Sequence, residues 1–204
     1  MIVSRGFPIV VSAASGTGKT SLCRTLLGTL NGVTRSISYT TRRPRGDEVN
    51  GRDYYFVPDA EFERMIRDKE LIEWAEVFGQ KYGTGFSAVE QQLDRGLDVF
   101  LDIDVQGGGQ ISDRFPDALL IFLLPPSMEE LRRRLVNRAT DSLDQIDRRL
   151  SEAQGEIRQS QRYDYLVVND DFERAAADMR AIITAARLRR GRQQAHVQAL
   201  LGER

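Results

Sequence analysis

The most constraining feature of the chain is a run near its start, Ala13-Ala14-Ser15-Gly16-Thr17-Gly18-Lys19-Thr20. It follows an apolar, β-branched stretch, residues 7–13 (FPIVVSA), and precedes Leu22, Leu26, Leu27 and Leu30 at helical spacing. The pattern predicts a buried strand, a glycine turn and a helix that ends at Asn31-Gly32. Set against Gly-x-x-x-x-Gly-Lys-[Ser/Thr], the run matches everywhere except the first position, which Ala13 fills. Successive backbone N–H groups and the helix N-terminus make a concave anion site there. Lys19 adds a point charge for the β and γ phosphates of a nucleoside triphosphate, and the Thr20 hydroxyl suits Mg²⁺. The plain alternative is a glycine turn with a solvated lysine. Residue usage speaks against it, because of 29 basic residues only Lys19, Lys69 and Lys81 are lysines.

A length of 204 residues suits one core carrying a small insert. Hydrophobic residues at 41% and charged residues at 29% exclude disorder as the main state. With 29 basic against 30 acidic residues, a net charge of −1, the chain lacks the excess of a general nucleic-acid binder. The single cysteine, Cys23, excludes an intrachain disulfide and fits a reducing, cytoplasmic setting. It sits beside Leu22 and reads as a core thiol. No stretch approaches the ~20 apolar residues of a membrane span, and the start MIVSRGFPIV lacks a signal peptide's apolar region. The lone His196 has no second ligand near it in sequence and reads as a surface residue.

Beyond the loop, residues 98–103, 119–124 and 165–168 are apolar strands separated by helices, the last of them at 172–186. Alternating strand and helix units predict an α/β fold with a parallel sheet covered on both faces. Residues 33–95 differ in texture. Short alternating pieces (33–39, 53–57, 71–77) surround a helix carrying Phe62, Met65 and Ile66, and another helix is expected at 87–95. A small mixed α/β insert follows from this. Two helices, at 127–137 and after 142, carry capping boxes (Ser127 with Glu130, Ser142 with Gln145), and their arginines suggest a mobile flap.

Two further constellations carry chemistry. Ser38-Tyr39-Thr40-Thr41-Arg42-Arg43-Pro44-Arg45 clusters arginines beside hydroxyls, which suits bidentate capture of a second phosphate group. Leu101-Asp102-Ile103-Asp104 ends an apolar strand, and a period of two puts both carboxylates on one side of it. That is the edge where open α/β sheets bind ligands. Carboxylates there are costly unless they meet a cation or a donor, and Asp102 suits holding Mg²⁺.

In this order and spacing, the loop with SYTTRRPR, EVNGRDYYF, IEWAEVFGQKYGT, VFLDIDVQG and VVNDD resembles guanylate kinase, a P-loop nucleoside monophosphate kinase family. The resemblance runs from about residue 7 to 188. It implies a P-loop NTPase-type core at 1–32, 97–125 and 159–204, a GMP-binding insert at 33–96 and a helical lid at 126–158. It implies that ATP lies on residues 13–20, and that Arg42, Arg45, Tyr54 and Tyr82 hold the GMP phosphate. It also implies that Ser38, Glu73, Thr84 and Asp104 hold the guanine. The chemistry agrees, because guanine presents the N1–H and N2 donors to carboxylates and the O6 acceptor to hydroxyls. Lys19, Arg42 and the lid arginines Arg134, Arg138 and Arg149 are then the catalytic charges. Helix phase favours Arg149 over Arg148, since Arg149 flanks the stripe of Ile146, Leu150 and Ala153.

Departures from the family pattern are Ala13, Ala14 and the Asn137-Arg138-Ala139 hinge, where the family has Gly-Arg-Gly. Ala13 is tolerable if its φ is negative. The implied reaction is Mg²⁺-dependent transfer from ATP to GMP. Competing readings are another nucleoside monophosphate kinase with a different acceptor base, against which Glu73 and Asp104 speak, and a non-catalytic guanylate-kinase-like module that binds a phosphopeptide, against which Lys19 and Thr20 speak. No nucleic-acid or membrane partner is expected. The basic stretch from Arg187 to Arg192 leaves a homo-oligomer contact open.

Overall fold

The computed structural model describes residues 5–77, 79–137 and 143–202. In chain order the elements are β1 (Pro8–Ala13), α1 (Lys19–Thr29), β2 (Val33–Arg35), β3 (Tyr39–Thr40), β4 (Tyr55–Phe56) and α2 (Asp59–Arg67). Then come β5 (Leu71–Val77), β6 (Gln80–Gly85), α3 (Phe86–Asp94), β7 (Asp98–Asp102), α4 (Val105–Arg114) and β8 (Leu119–Leu124). The chain closes with α5 (Met128–Asn137), α6 (Leu143–Arg158), a 3-10 turn (Gln159–Arg162), β9 (Tyr165–Val168), α7 (Phe172–Arg187) and α8 (Arg190–Leu201).

Five strands form a parallel sheet in the order β2-β7-β1-β8-β9. The period of two along β1 divides its side chains between two cores. Ile9, Val11 and Ala13 join Leu22 and Leu26 of α1 and Met179 and Ile183 of α7. Val10 joins Val89 and Leu93 of α3 and Ile111 of α4 on the opposite face. Each fully buried aliphatic side chain contributes about 1.5–3 kcal/mol, so these two clusters hold the sheet that presents the loop.

The insert forms its own mixed sheet, β4-β3-β6-β5. Here β3 runs parallel to β4, while β6 pairs antiparallel with β3 and β5. Val33–Arg35, grouped with the insert in the sequence reading, pairs instead with β7 in the five-stranded sheet. A piece of three residues bears no mark of which sheet it will join.

Helices α5 and α6 share a small cluster, Leu131, Leu135, Ile146 and Ala153, closed by Ala14 of the loop. The Ser127 hydroxyl caps α5 by accepting from the Glu130 N–H at 3.0 Å. Glu130's carboxylate does not complete the box, because Arg133 and Arg134 take it. Its carboxyl is held at about 2, first by Arg133 and then by Arg134. The second box, at Ser142, lies outside the described residues, as do Arg138 and Ala139.

Two boundaries differ from expectation. Helix α1 ends at Thr29 with Leu30 as its cap, two residues before Gly32, which turns the chain with φ 72°. The segment after α7, for which the sequence predicts no element, is helix α8, which carries the exposed His196. It has no buried residue, so no apolar period announced it. The basic run from Arg187 to Arg192, which spans the end of α7 and the start of α8, is partly spent inside the fold. Arg187 Nε donates to Asp98 Oδ2 at 2.7 Å, and Arg192 pairs with Asp117 while lying over the Phe7 ring. Among the described residues, no helix is long and apolar enough to cross a membrane.

Candidate active site

The loop between β1 and α1 sits where β1 emerges from the sheet. Gly16 and Gly18 have φ 96° and 98°, a conformation that disfavours any residue with a Cβ. Ala13 remains in β1 and is not among the positive-φ residues, so the departure from glycine is sterically acceptable. Thr17 is buried, and its hydroxyl and N–H both donate to Ala14 O, at 2.7 and 3.1 Å. A side chain from the far end of the chain completes the support, as Asn169 Nδ2 donates to Thr17 O at 2.6 Å. A Cβ at Gly18 would lie 2.7 Å from that same nitrogen.

Lys19 Nζ lies 2.7 Å from Asp102 Oδ1 and donates to Ile103 O at 3.0 Å. Burial works against its charge, but the Asp102 carboxylate outweighs this and the ammonium is held above its ordinary pKa. Asp102 ends β7 as expected and holds this lysine. Asp104 begins the next element, capping α4 by accepting from Gly107 N at 2.8 Å.

A cavity of about 670 Å³ opens over the loop. Residues 13–20 line it together with Asp104 and Gln106 of the α4 start, Glu76 and Val77 of β5, and Arg148, Arg149, Glu152 and Glu156 of α6. Both arginines reach the wall, although helix phase had singled out Arg149. Arg148 Nε also donates to Glu152 at 3.0 Å. Burial raises the Glu156 carboxyl against the pull of Lys19 and the Ser15 N–H. Arg134 braces the loop: Nε donates to Glu130, Nη2 to Asn169 O at 3.0 Å and Nη1 to Thr17 O at 3.4 Å.

In the insert, Glu73 and Thr84 are register partners on β5 and β6. Thr84 Oγ1 donates to Glu73 Oε1 at 2.5 Å, and both side chains are buried. Burial, with the nearby Asp104 charge, pushes the Glu73 carboxyl up to about 7. The place a Gly107 Cβ would take lies 2.5 Å from Glu73 Oε2 and 3.4 Å from Asp104 Oδ1, so the two carboxylates are neighbours. Thr84's single hydroxyl proton goes to Glu73 here, not outward to a base.

The arginine-rich end of the insert is organised by Glu48. Its carboxylate accepts the fork of Arg42 at 2.8 and 2.9 Å and the Arg45 N–H at 2.8 Å. The Arg42 guanidinium also lies 5.2 Å from the Tyr54 ring centre. Tyr54 and Tyr82 meet edge to face, with centroids 6.0 Å apart. Burial first, and then the Asp102 carboxylate, raise the Tyr54 phenol above its ordinary range. Ser38 precedes β3 half-buried, and its carbonyl accepts the Tyr55 N–H at 2.9 Å.

Oxygen donors alone are at hand for a cation: the exposed Thr20 hydroxyl and the half-buried Asp102 carboxylate. That donor set suits Mg²⁺, which completes its shell with phosphate and water. Among the described residues no cluster of three His, Cys, Asp or Glu side chains forms a metal site by itself.

Sequence reasoning gave no individual role to Glu48 and Asn169, although both lie inside quoted motifs, gave none to Glu156, and set Arg148 aside on helix phase. The contacts of Glu48 and Asn169 cross a turn or 152 positions, which no local pattern marks.

Comparison with known proteins agrees with this geometry. A family model described as guanylate kinase matches residues 5–186. The chain is 51% identical over 191 residues to a guanylate kinase of Dechloromonas aromatica, covering 94% of this chain and 95% of that protein. It is 49% identical over 197 residues to one of Neisseria meningitidis serogroup B, covering 97% and 96%. The crystal structure of guanylate kinase from Anaplasma phagocytophilum superposes with a TM-score of 0.77 at 36% identity, over 93% of this chain and 90% of that one.

Proposed function

The chain belongs to the guanylate kinase family, and from that premise we propose how its residues carry the γ-phosphate of ATP to GMP, giving ADP and GDP. As an ATP:GMP phosphotransferase it needs no side-chain base, because the attacking GMP phosphate oxygen is already anionic. Alignment of the two nucleotides and neutralisation of their charge then supply the catalysis.

Loop residues 13–20 hold the ATP phosphates with their N–H groups, and Lys19 follows the charge as it moves between β and γ oxygens. Thr20 and Asp102 would hold Mg²⁺, which when bound neutralises the phosphate oxygens. Arg42 and Arg45, preset by Glu48, receive the GMP phosphate with Tyr54 and Tyr82. Arg149 on the cavity wall and Arg138 contribute lid charge, and Arg134 keeps the loop and α5 together. Closure of insert and lid would exclude water, so that phosphate passes to GMP and not to solvent. The buried Cys23 thiol, pushed up to about 12 by burial, is inert and fits a reducing, cytosolic setting.

The observation that carries the base assignment is the neighbouring carboxylate pair Glu73 and Asp104, of which Asp104 lines the cavity over the loop. Two acceptors there ask for a base with adjacent N1–H and N2 donors, whereas adenine has an acceptor at N1. Glu73→Gln keeps the shape and turns one acceptor into an NH₂ donor. The ratio of kcat/KM for GMP over AMP should then fall by at least about tenfold, the value of one buried hydrogen bond or more. A ratio unchanged by the substitution would place base reading elsewhere.

A further inference from the structure

We infer that one face of α4 positions the guanine-reading carboxylate, Gly107 leaving the space that Glu73 occupies and Gln110 holding the strand that carries it. The inference rests on the assignment of Glu73 proposed above, and neither Gly107 nor Gln110 lines the cavity over the loop.

Three observations meet here. First, α4 approaches β5 so closely that a Cβ on Gly107 would stand 2.5 Å from Glu73 Oε2 and 3.1 Å from its Cδ. The same residue's N–H holds Asp104 Oδ1 at 2.8 Å. Glycine is disfavoured inside helices, so its presence at 107 works against local propensity. Second, β5 is the outer strand of the order β4-β3-β6-β5, with an edge left to be satisfied. The Gln110 side-chain amide meets that edge as a neighbouring strand would. Its Nε2 donates to Trp74 O at 2.8 Å, and its Oε1 accepts from Trp74 N at 3.2 Å. Trp74 is next in chain to Glu73, and Gly107 and Gln110 share a helix face at i and i+3. Third, the β5–β6 register is irregular between Leu71 and Glu73, a device that re-aims the side chain that follows it.

The atom met by a Cβ at 107 is the end of a flexible side chain. The fold can therefore accept alanine, at the expense of where the carboxylate stands. A purely structural glycine would instead disturb backbone.

The test is steady-state kinetics of the whole protein with ATP, GMP and AMP. Gly107→Ala should raise KM for GMP about tenfold, with kcat within about threefold and KM for ATP within about twofold. Adding Glu73→Asp, one methylene shorter, should recover part of that loss, although Glu73→Asp alone impairs GMP use. Gln110→Ala, on a half-exposed residue, should raise KM for GMP about fivefold without affecting ATP. Equal losses toward GMP and ATP would overturn the inference. So would a double variant in which Glu73→Asp harms the Gly107→Ala protein as much as it harms the wild type, since positioning through Glu73 requires the two changes to couple. An unchanged GMP-to-AMP ratio in Glu73→Gln is a separate result, and it would remove the premise along with the inference.

Discussion

Lys19 meets two oxygens in this structure, one of Asp102 and the carbonyl of Ile103, in the wall of the cavity of about 670 Å³ over the loop. Lys19→Met keeps the length and removes the charge. Turnover should fall by about 10²–10³-fold or more, the loss seen when one preorganised contact to developing charge is deleted. Circular dichroism and a thermal midpoint would establish that the variant is folded, and near-normal turnover would refute the loop assignment. Glu73 makes a second residue-scale prediction. Its folded pKa of about 7 lies above the ordinary carboxylate value, because burial and Asp104 both oppose ionisation. Folded protein therefore holds a proton that unfolded chain gives up, and the site's contribution to stability declines as pH rises from about 4.5 to about 7. Glu73→Gln should flatten that part of the stability–pH curve. Guanine donors want the carboxylate, so GMP binding should release the proton. KM for GMP should then rise as pH falls below 7, by up to about tenfold per pH unit, while KM for ATP stays flat.

Among elements, α2 ends on an unusual device. Asp68 caps it, and Lys69, with φ 57°, is the one positive-φ residue among the described non-glycines. Glu70 N reaches Met65 O at 3.0 Å and Lys69 N reaches Ile66 O at 3.1 Å, the paired bonds of a Schellman turn. Glycine is the usual occupant of that position, so Lys69→Gly should stabilise the protein by up to about 1 kcal/mol in urea unfolding. Destabilisation would mean that the lysine side chain contributes more than its backbone costs. The elements best read from sequence were those with local marks. Strands β1, β8 and β9 are continuous apolar runs between turn residues, and the loop is contiguous. Helix α8 and the sheet membership of β2 were not legible, because neither buries a periodic face of its own. The site divides the same way. Lys19 and Thr20 follow from a motif, whereas Asn169 acts on Thr17 across 152 positions and Gln110 on Trp74 across 36. Such pairings exist only once the sheet edges and helix faces have met.

At the scale of the whole molecule, the five-stranded sheet presents the glycine loop and the four-stranded insert stands against it. Asp104 lies beside both Glu73 and the cavity, and α4 carries Gly107 and Gln110 against β5. Over the donor side, α5 and α6 cover the loop through Ala14, Leu131 and Leu135. Chemistry requires all three parts, since two polyanions must be held together against their own repulsion. The most direct measurement is a coupled assay of ADP formation from ATP and Mg²⁺ with GMP, AMP, UMP or dTMP as acceptor. The account predicts kcat/KM for GMP above that for each of the others by about 10³-fold or more, because a site built for guanine's donors leaves its carboxylates unpaired with any other base. Equal use of AMP or of a pyrimidine nucleotide would contradict it.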